Sequence, residues 1–332
     1  MCTSFTFSAP DQHFLSRTMD FSFILDAQPV FIPRGYKWTS FNKEVQVSRY
    51  AFVGSGRKLD EYLVADGMNE RGLAAAELYY PNFASYPDKP TAGKKNIAPH
   101  QFIMWLLGEN ATVQEVRKQV VDLCLVDSPV PLLGLTVPLH FIVTDATGET
   151  ITIETENNQL TVKENPIGVI ANSPNLEWHL QNLNSYVGVQ PTNLPTQKMG
   201  ELTLQAFGQG SGTLPLPGSY VSTDRFIRAA FLKQYLVISE KPTETVGNIF
   251  HALDSVNVLK GIDLKDNGDI DFTQYKAALD TVNLTYYFML YENNALYTVQ
   301  LNEELVTHSE PIAFSVEKQM TVHALTLDDK CK

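Results

Sequence analysis

Met1-Cys2-Thr3-Ser4-Phe5-Thr6-Phe7 and Phe14-Leu15-Ser16-Arg17-Thr18-Met19-Asp20-Phe21 are β-rich runs separated by Ser8-Ala9-Pro10-Asp11-Gln12. The turn-forming centre of that spacer makes the pair a β-hairpin, which returns the chain to Cys2 beside the 17–20 stretch. Removal of one methionine leaves Cys2 as the chain end, so one residue carries both a thiol and a free amine. A terminal amine has a reference pKa of about 7.7–8.0 and takes up a proton readily near neutrality, which makes it a built-in general base for the thiol. Arg17 would favour the thiolate, and Asp20 could hold the amine. Alternation along a strand puts Arg17 and Asp20 on opposite faces, so a bulge or strand end between them is expected if both reach Cys2.

The 332 residues, 44% of them hydrophobic and 11% aromatic, suffice for a large core in one or two domains. A net charge of −12 with no basic run argues against nucleic-acid and acidic-membrane partners. Cys2, Cys124 and Cys331 are too few and scattered for a disulfide framework, and no CxxC pair suggests zinc. With no secretory leader and no apolar run of about 20 residues, a cytoplasmic location is expected.

Outward from the hairpin, 30–32 reads as an edge strand bracketed by Pro29 and Pro33, and 50–53 as a strand ending at Gly54-Ser55-Gly56. Strands at 62–65 and 73–80 flank a turn over 66–72. Helices follow at 99–107 and from Val113, with Thr112 as cap and Cys124 a buried thiol on the apolar stripe. A hairpin at 139–144 and 150–155 gains a third strand at 160–163. Ser173-Pro174 opens a helix, and a Pro/Gly/Thr/Gln-rich excursion occupies 187–220. A helix capped by 222–224 buries Ile227, Ala230, Phe231 and Tyr235; the next buries Val246, Ile249, Phe250 and Leu253. Strands at 285–291 and 295–301 close the chain. Hairpins with intervening helices predict packed antiparallel sheets covered by helices, in a single domain over 1–332.

Several motifs lead nowhere. The 263–271 segment resembles a calcium loop, but Lys265 and Gln274 occupy the third and twelfth ligand places, so it reads as a hairpin turn. Neither Gly54-Ser55-Gly56 nor the glycines at 208–212 complete a phosphate-binding signature, and the histidines form no HExxH pair, so no cofactor or metal is expected. A cysteine–histidine pairing lacks any local signature.

Cys2, Arg17-Thr18-Met19-Asp20-Phe21, Gly67-Met68-Asn69-Glu70-Arg71-Gly72-Leu73, Asn172-Ser173-Pro174 and Asp224-Arg225-Phe226, in that order, resemble the choloylglycine hydrolase family of penicillin V acylases and conjugated bile salt hydrolases, which are N-terminal nucleophile hydrolases. The resemblance spans essentially the whole chain. It implies an α+β fold, a four-layer αββα sandwich, removal of Met1, and hydrolysis of a linear amide without metal or cofactor. It also implies that the excursion at about 187–220 is an assembly loop and the protein a homotetramer. Carried over by residue, Cys2 is the nucleophile with its own amine as base, Arg17 supports the thiolate and Asp20 positions the amine. Asn172 and the Tyr79 N–H stabilise the oxyanion, and Arg225 completes the charged framework. Leu78-Tyr79-Tyr80 looks like the acylase branch, with Tyr79 and Tyr80 as aromatic walls for a phenoxy ring. The expected substrate is therefore a small acyl amide of the penicillin V type. A conjugated bile salt and an N-acyl homoserine lactone are alternatives, as is a non-catalytic binding protein on the same fold.

Overall fold

β1 (Cys2–Ala9) and β2 (Gln12–Phe21) pair without interruption from Cys2↔Met19 to Ala9↔Gln12 in the computed structural model, which describes residues 1–325; Cys331 and the rest of 326–332 lie outside it. Asp11 takes the turn at φ 56°, a left-handed conformation that aspartate tolerates better than most residues. The hairpin sits inside an antiparallel sheet ordered Val169–Ile170, β1, β2, Ile270–Asp280, Thr285–Leu290, Tyr297–Gln300. β1 thus lies between β2 and a strand from the middle of the chain, Val169–Ile170, and β2 is backed by Ile270–Asp280.

The second large sheet is also antiparallel, in the order Thr161–Glu164, Thr150–Glu154, Leu139–Thr144, Ala74–Tyr79, Tyr62–Asn69, Phe52–Lys58, Gln28–Ile32, Ile312–Ala313. Leu15, Phe31, Val53, Met68, Leu78 and Tyr286 belong to the buried apolar layer between the sheets. On the outer face of the second sheet lie α1 (Phe102–Glu109) and α2 (Val113–Gln119), packed through Phe102, Trp105 and Val116. A short helix, α3 (Leu176–Asn182), precedes the excursion. On the outer face of the first sheet, α4 (Ser222–Tyr235) and α5 (Pro242–Asp254) cover Phe5, Phe7 and Phe14 with Phe226, Val246, Ile249 and Leu253. The layers are helix, sheet, sheet, helix. This is the αββα sandwich.

Several expectations change in detail. Gly54-Ser55-Gly56 does not end a strand but lies within Phe52–Lys58, and Gly67 lies within Tyr62–Asn69 rather than in a turn. The reason is close approach: a Cβ on Gly54 would meet Asp66 O at 2.0 Å and Gly67 Cα at 2.9 Å. Glycine here serves strand contact. Thr112 caps α2 as expected, accepting from Glu115 N at 3.2 Å, whereas α3 is capped by Asn175 rather than Ser173, through Trp178 N at 3.1 Å. The buried side of α4 is turned toward Arg225, Phe226, Ile227, Arg228 and Ala229, leaving Tyr235 exposed. No helix among the described residues is long and apolar enough to cross a membrane.

Candidate active site

The β1–β2 pairing runs past Arg17 without a bulge, and the register shift expected between Arg17 and Asp20 falls on the other neighbour of β2, where Gln274 is left unmatched between Asp20↔Thr273 and Met19↔Tyr275. Because Cys2 lies directly opposite Met19, its thiol points to the inter-sheet side with Met19 and Arg17, while Thr3, Thr18 and Asp20 point toward α4. Arg17 faces the thiol, whereas the Asp20 carboxylate lies on the opposite face, bonded to Thr18 and Thr273 rather than to Cys2 itself. On the thiol face, Arg17 Nη2 lies 3.2 Å from Cys2 Sγ. On the other face, the Cys2 backbone is held by Asn172 and Arg225.

Arg17 is fully buried. Its Nη1 donates to Ala65 O at 3.1 Å and Asp66 Oδ2 at 3.3 Å, and Asp66 in turn accepts from the Tyr275 and Tyr286 hydroxyls, each at 2.6 Å. Burial works against the guanidinium charge, yet Tyr275, Cys2, Asp66 and Glu77 outweigh it and hold its pKa above the usual arginine value. A permanent cation therefore faces the sulfur. Asp66, Tyr275 and Tyr286 were not singled out from sequence. The one available signal was an acid, Asp66, embedded in a β-rich run, and the adjacent Gly67 disguised it as a turn.

Asn172 follows the short strand Val169–Ile170, which pairs with β1 through Ser4↔Ile170. Asn172 N donates to Ser222 Oγ at 2.8 Å, and Asn172 O is bonded to His179 Nε2 at 3.0 Å. The side-chain Oδ1 accepts from Cys2 N at 2.9 Å and Arg225 Nη2 at 2.6 Å, while Nδ2 donates to Tyr79 O at 2.5 Å. Those partners fix the amide orientation and leave its second N–H unused. Arg225, at the start of α4, also donates to Cys2 O at 2.6 Å and to Thr3 Oγ1, and lies 3.9 Å from Asp20 Oδ2. Burial pulls the Arg225 pKa below the usual range despite Asp20, Cys2 and Asp263. Asp20 accepts from Thr273 Oγ1 at 2.5 Å and Thr18 Oγ1 at 3.2 Å; burial raises its pKa against the pull of Arg225 and the chain terminus. Met1 extends the ladder, donating from its amine to Asp20 O at 2.7 Å and accepting from Asp20 N at 3.0 Å.

Tyr79 ends its strand where the sheet forks. Tyr62–Asn69 pairs with Ala74–Tyr79 only from Met68↔Ala74 to Asp66↔Ala76. A register shift between Ser55 and Gly56 makes Ala65 the unmatched residue, and its carbonyl turns to Arg17. Beyond Ala76 the strand pairs only with Leu139–Thr144. Tyr80 N donates to Pro138 O at 2.8 Å on that side, so by alternation the Tyr79 N–H and C=O point into the fork. An open cleft occupies the fork, with Cys2, Tyr79 and Glu77 on its wall beside Leu25, Leu63 and Val137. Phe21 meets Tyr79 edge-on at 6.5 Å. Tyr80 does not line this cleft. It is fully buried, stacks on His140 at 4.1 Å and donates to Glu156 Oε1. Adjacent strand residues face opposite ways, so Tyr79 and Tyr80 cannot form one wall.

A fork-mounted thiol with a guanidinium at its sulfur is the setting in which similarity to known proteins becomes informative. The profile of linear amide C–N hydrolases, choloylglycine hydrolase family, matches residues 2–314. The chain belongs to this family. The chain is 34% identical to a bile salt hydrolase/transferase of Clostridium perfringens over 97% of this chain and 99% of that protein. It is 32% identical to one from Lactiplantibacillus plantarum over 98% and 100%. A penicillin V acylase of Pectobacterium atrosepticum is 26% identical over 86% and 77%. The solved C2A variant of the conjugated bile acid hydrolase from Clostridium perfringens superposes with a TM-score of 0.91, at 32% identity over 98% of this chain and all of that one. This member of the choloylglycine hydrolase family is therefore a linear amide C–N hydrolase.

Proposed function

We propose that the protein is an N-terminal-cysteine amidase acting on conjugated bile salts or closely related acyl amides. This reverses the order expected from Leu78-Tyr79-Tyr80: the two bile salt hydrolases above match at 34% and 32% identity across nearly full length, against 26% for the acylase. Tyr80, half of the acylase-like pair, is buried away from the cleft. The acylase reading retains one supporting observation, the Tyr79 ring on the cleft wall.

The observation that carries the amidase reading is the two-faced clamp on Cys2: Arg17 at the sulfur at 3.2 Å, and Asn172 at the nitrogen at 2.9 Å. Once Met1 is removed, the Cys2 amine donates to Asn172 Oδ1 and keeps its lone pair for the thiol proton. The thiolate, held by Arg17, attacks the amide carbon. The Tyr79 N–H and the spare Asn172 N–H receive the oxyanion, and donors of this kind contribute roughly 2.7–4 kcal/mol each in comparable sites. Collapse returns the proton from the Cys2 ammonium to the leaving amine. Water, deprotonated by the same amine, then cleaves the thioester and releases the acid. Asp20 acts on the amine's surroundings through Arg225 and the β1–β2 ladder.

Parallel turnover of glyco- or tauro-conjugated bile salts and penicillin V tests the ranking. Faster penicillin V cleavage restores the acylase reading, and retention of Met1 by intact mass in an active sample sinks the mechanism. The excursion supports the homotetramer proposal: Val187, Met199, Leu202, Phe207 and Leu214 are exposed along it. Light scattering of wild type and a Leu202→Asp/Phe207→Asp variant tests it; a monomeric wild type refutes it.

A further inference from the structure

The fork that exposes Tyr79 also isolates Glu77. The pair after Asp66↔Ala76 would be Ala65↔Glu77, and the bulge at Ala65 prevents it. Glu77 lies two residues from Tyr79 on the same strand, so both side chains share a face and both line the cleft. Its Oε2 is sealed from solvent and has no hydrogen-bond partner. The nearby cation is already engaged: Arg17 spends its Nη1 on Ala65 and Asp66 and its Nη2 on the two sulfurs of Cys2 and Met19.

The groups around Glu77 are Arg17 from β2, Asp66 from the Tyr62–Asn69 strand, Tyr275 from Ile270–Asp280, the nearby phenol of Tyr86, and His100, which shares the cleft wall. Burial, opposed by Arg17 and reinforced by Asp66, raises the Glu77 carboxyl to about 8. Near neutrality it is chiefly the uncharged acid, with one donor and one acceptor. The remaining wall is mostly apolar, with Leu25, Leu63, Val64, Leu132, Leu133 and Val137; its other polar members, Ser55 and Arg57, are bonded to the Tyr286 hydroxyl and to Leu25 O rather than to Glu77.

We propose that Glu77 is a specificity-determining residue for the acyl half of the substrate, hydrogen-bonding an uncharged oxygen, a hydroxyl or ether, carried by an otherwise apolar acyl group. This rests on the amidase reading above. One strand repeat separates Glu77 from Tyr79, roughly 6–7 Å.

The test uses 4-nitroanilides of an unbranched acyl chain and its isosteres, in which one methylene is replaced by an ether oxygen at successive positions. In wild type, kcat/KM should peak for one oxygen position at about 10-fold or more over the all-carbon parent, as expected for a site with an otherwise unpaired polar group. Glu77→Gln should keep the peak, and Glu77→Leu should reduce the ratio to about one. Glu77→Met supplies the same readout if the leucine variant does not fold. A flat profile in wild type, or an undiminished peak in Glu77→Leu, overturns the proposal. If wild type cleaves none of the anilides, the amidase reading fails for this class. Calorimetric binding of the corresponding free acids then decides the role of Glu77: equal affinity of oxygenated and all-carbon acids refutes it, and an oxygen preference lost in Glu77→Leu supports it.

Discussion

Two buried arginine–aspartate pairs flank Cys2, and they are built differently. On the thiol face, Arg17 and Asp66 approach to 3.3 Å, and two tyrosine hydroxyls complete the Asp66 carboxylate. On the amine face, Arg225 and Asp20 stand 3.9 Å apart, each satisfied mainly by other groups: Asn172, Cys2 O and Tyr220 O for the arginine, and Thr273 and Thr18 for the acid. The surroundings raise the Arg17 pKa and lower that of Arg225. The first pair is a fixed charge presented to sulfur. The second is a hydrogen-bond frame that locates a nitrogen, and its ionic component is weaker.

Cys2→Ala carries the largest expected effect, loss of measurable turnover with the fold retained; activity surviving in that variant would remove the meaning of both pairs. Asp66→Asn strips the counter-ion from a fully buried guanidinium, and breaking such a pair costs about 3–5 kcal/mol, readable as a drop in denaturation midpoint. Asp20→Asn should cost less, about 1–3 kcal/mol, because hydrogen bonds rather than the distant cation hold that acid. Equal losses from the two variants would erase the distinction between the pairs. Glu77→Gln sharpens the thiol side. The Glu77 pKa is raised from an ordinary 4.5 to about 8, so the folded protein binds one more proton than the unfolded chain between those values, and stability from this group falls as pH rises through them. The glutamine variant should lose less stability across that window, measured by thermal melts; parallel curves would show that Glu77 ionises normally. Smallest is Tyr80→Phe, which removes the bond to Glu156 for about 1 kcal/mol and should leave substrate preference unchanged.

Much of this arrangement could be read from the chain itself. The β1–β2 hairpin follows from alternation around a proline–aspartate turn, and the apolar stripe of α5 from helical spacing. Cys2, Arg17, Asp20, Tyr79, Asn172 and Arg225 do converge on one place, but only a resemblance joins residues so far apart in sequence, since contact across two sheets leaves no local periodicity. What was illegible has physical reasons. Ile270–Asp280, a central strand, carries Gln274 and Lys276, whose polar ends reach the Phe21 and Phe23 carbonyls and Asp254, so its pattern is not apolar. The α4 stripe is displaced because Arg225 and Arg228 are buried by hydrogen bonds, which hydrophobicity does not foresee. Gly54 and Gly67 read as turn residues while acting as contact points between strands.

The short pairing between Tyr62–Asn69 and Ala74–Tyr79 gives Arg17 a mechanical role beside its electrical one. Its guanidinium caps the Ala65 carbonyl at the point where the two strands part, so it works as a spacer in an unfinished zipper. Without it, that carbonyl needs another donor, and the nearest backbone across the gap is the strand bearing Glu77 and Tyr79. The residue that charges the sulfur is thus also the one that keeps the substrate's doorway from being sewn shut by the sheet itself.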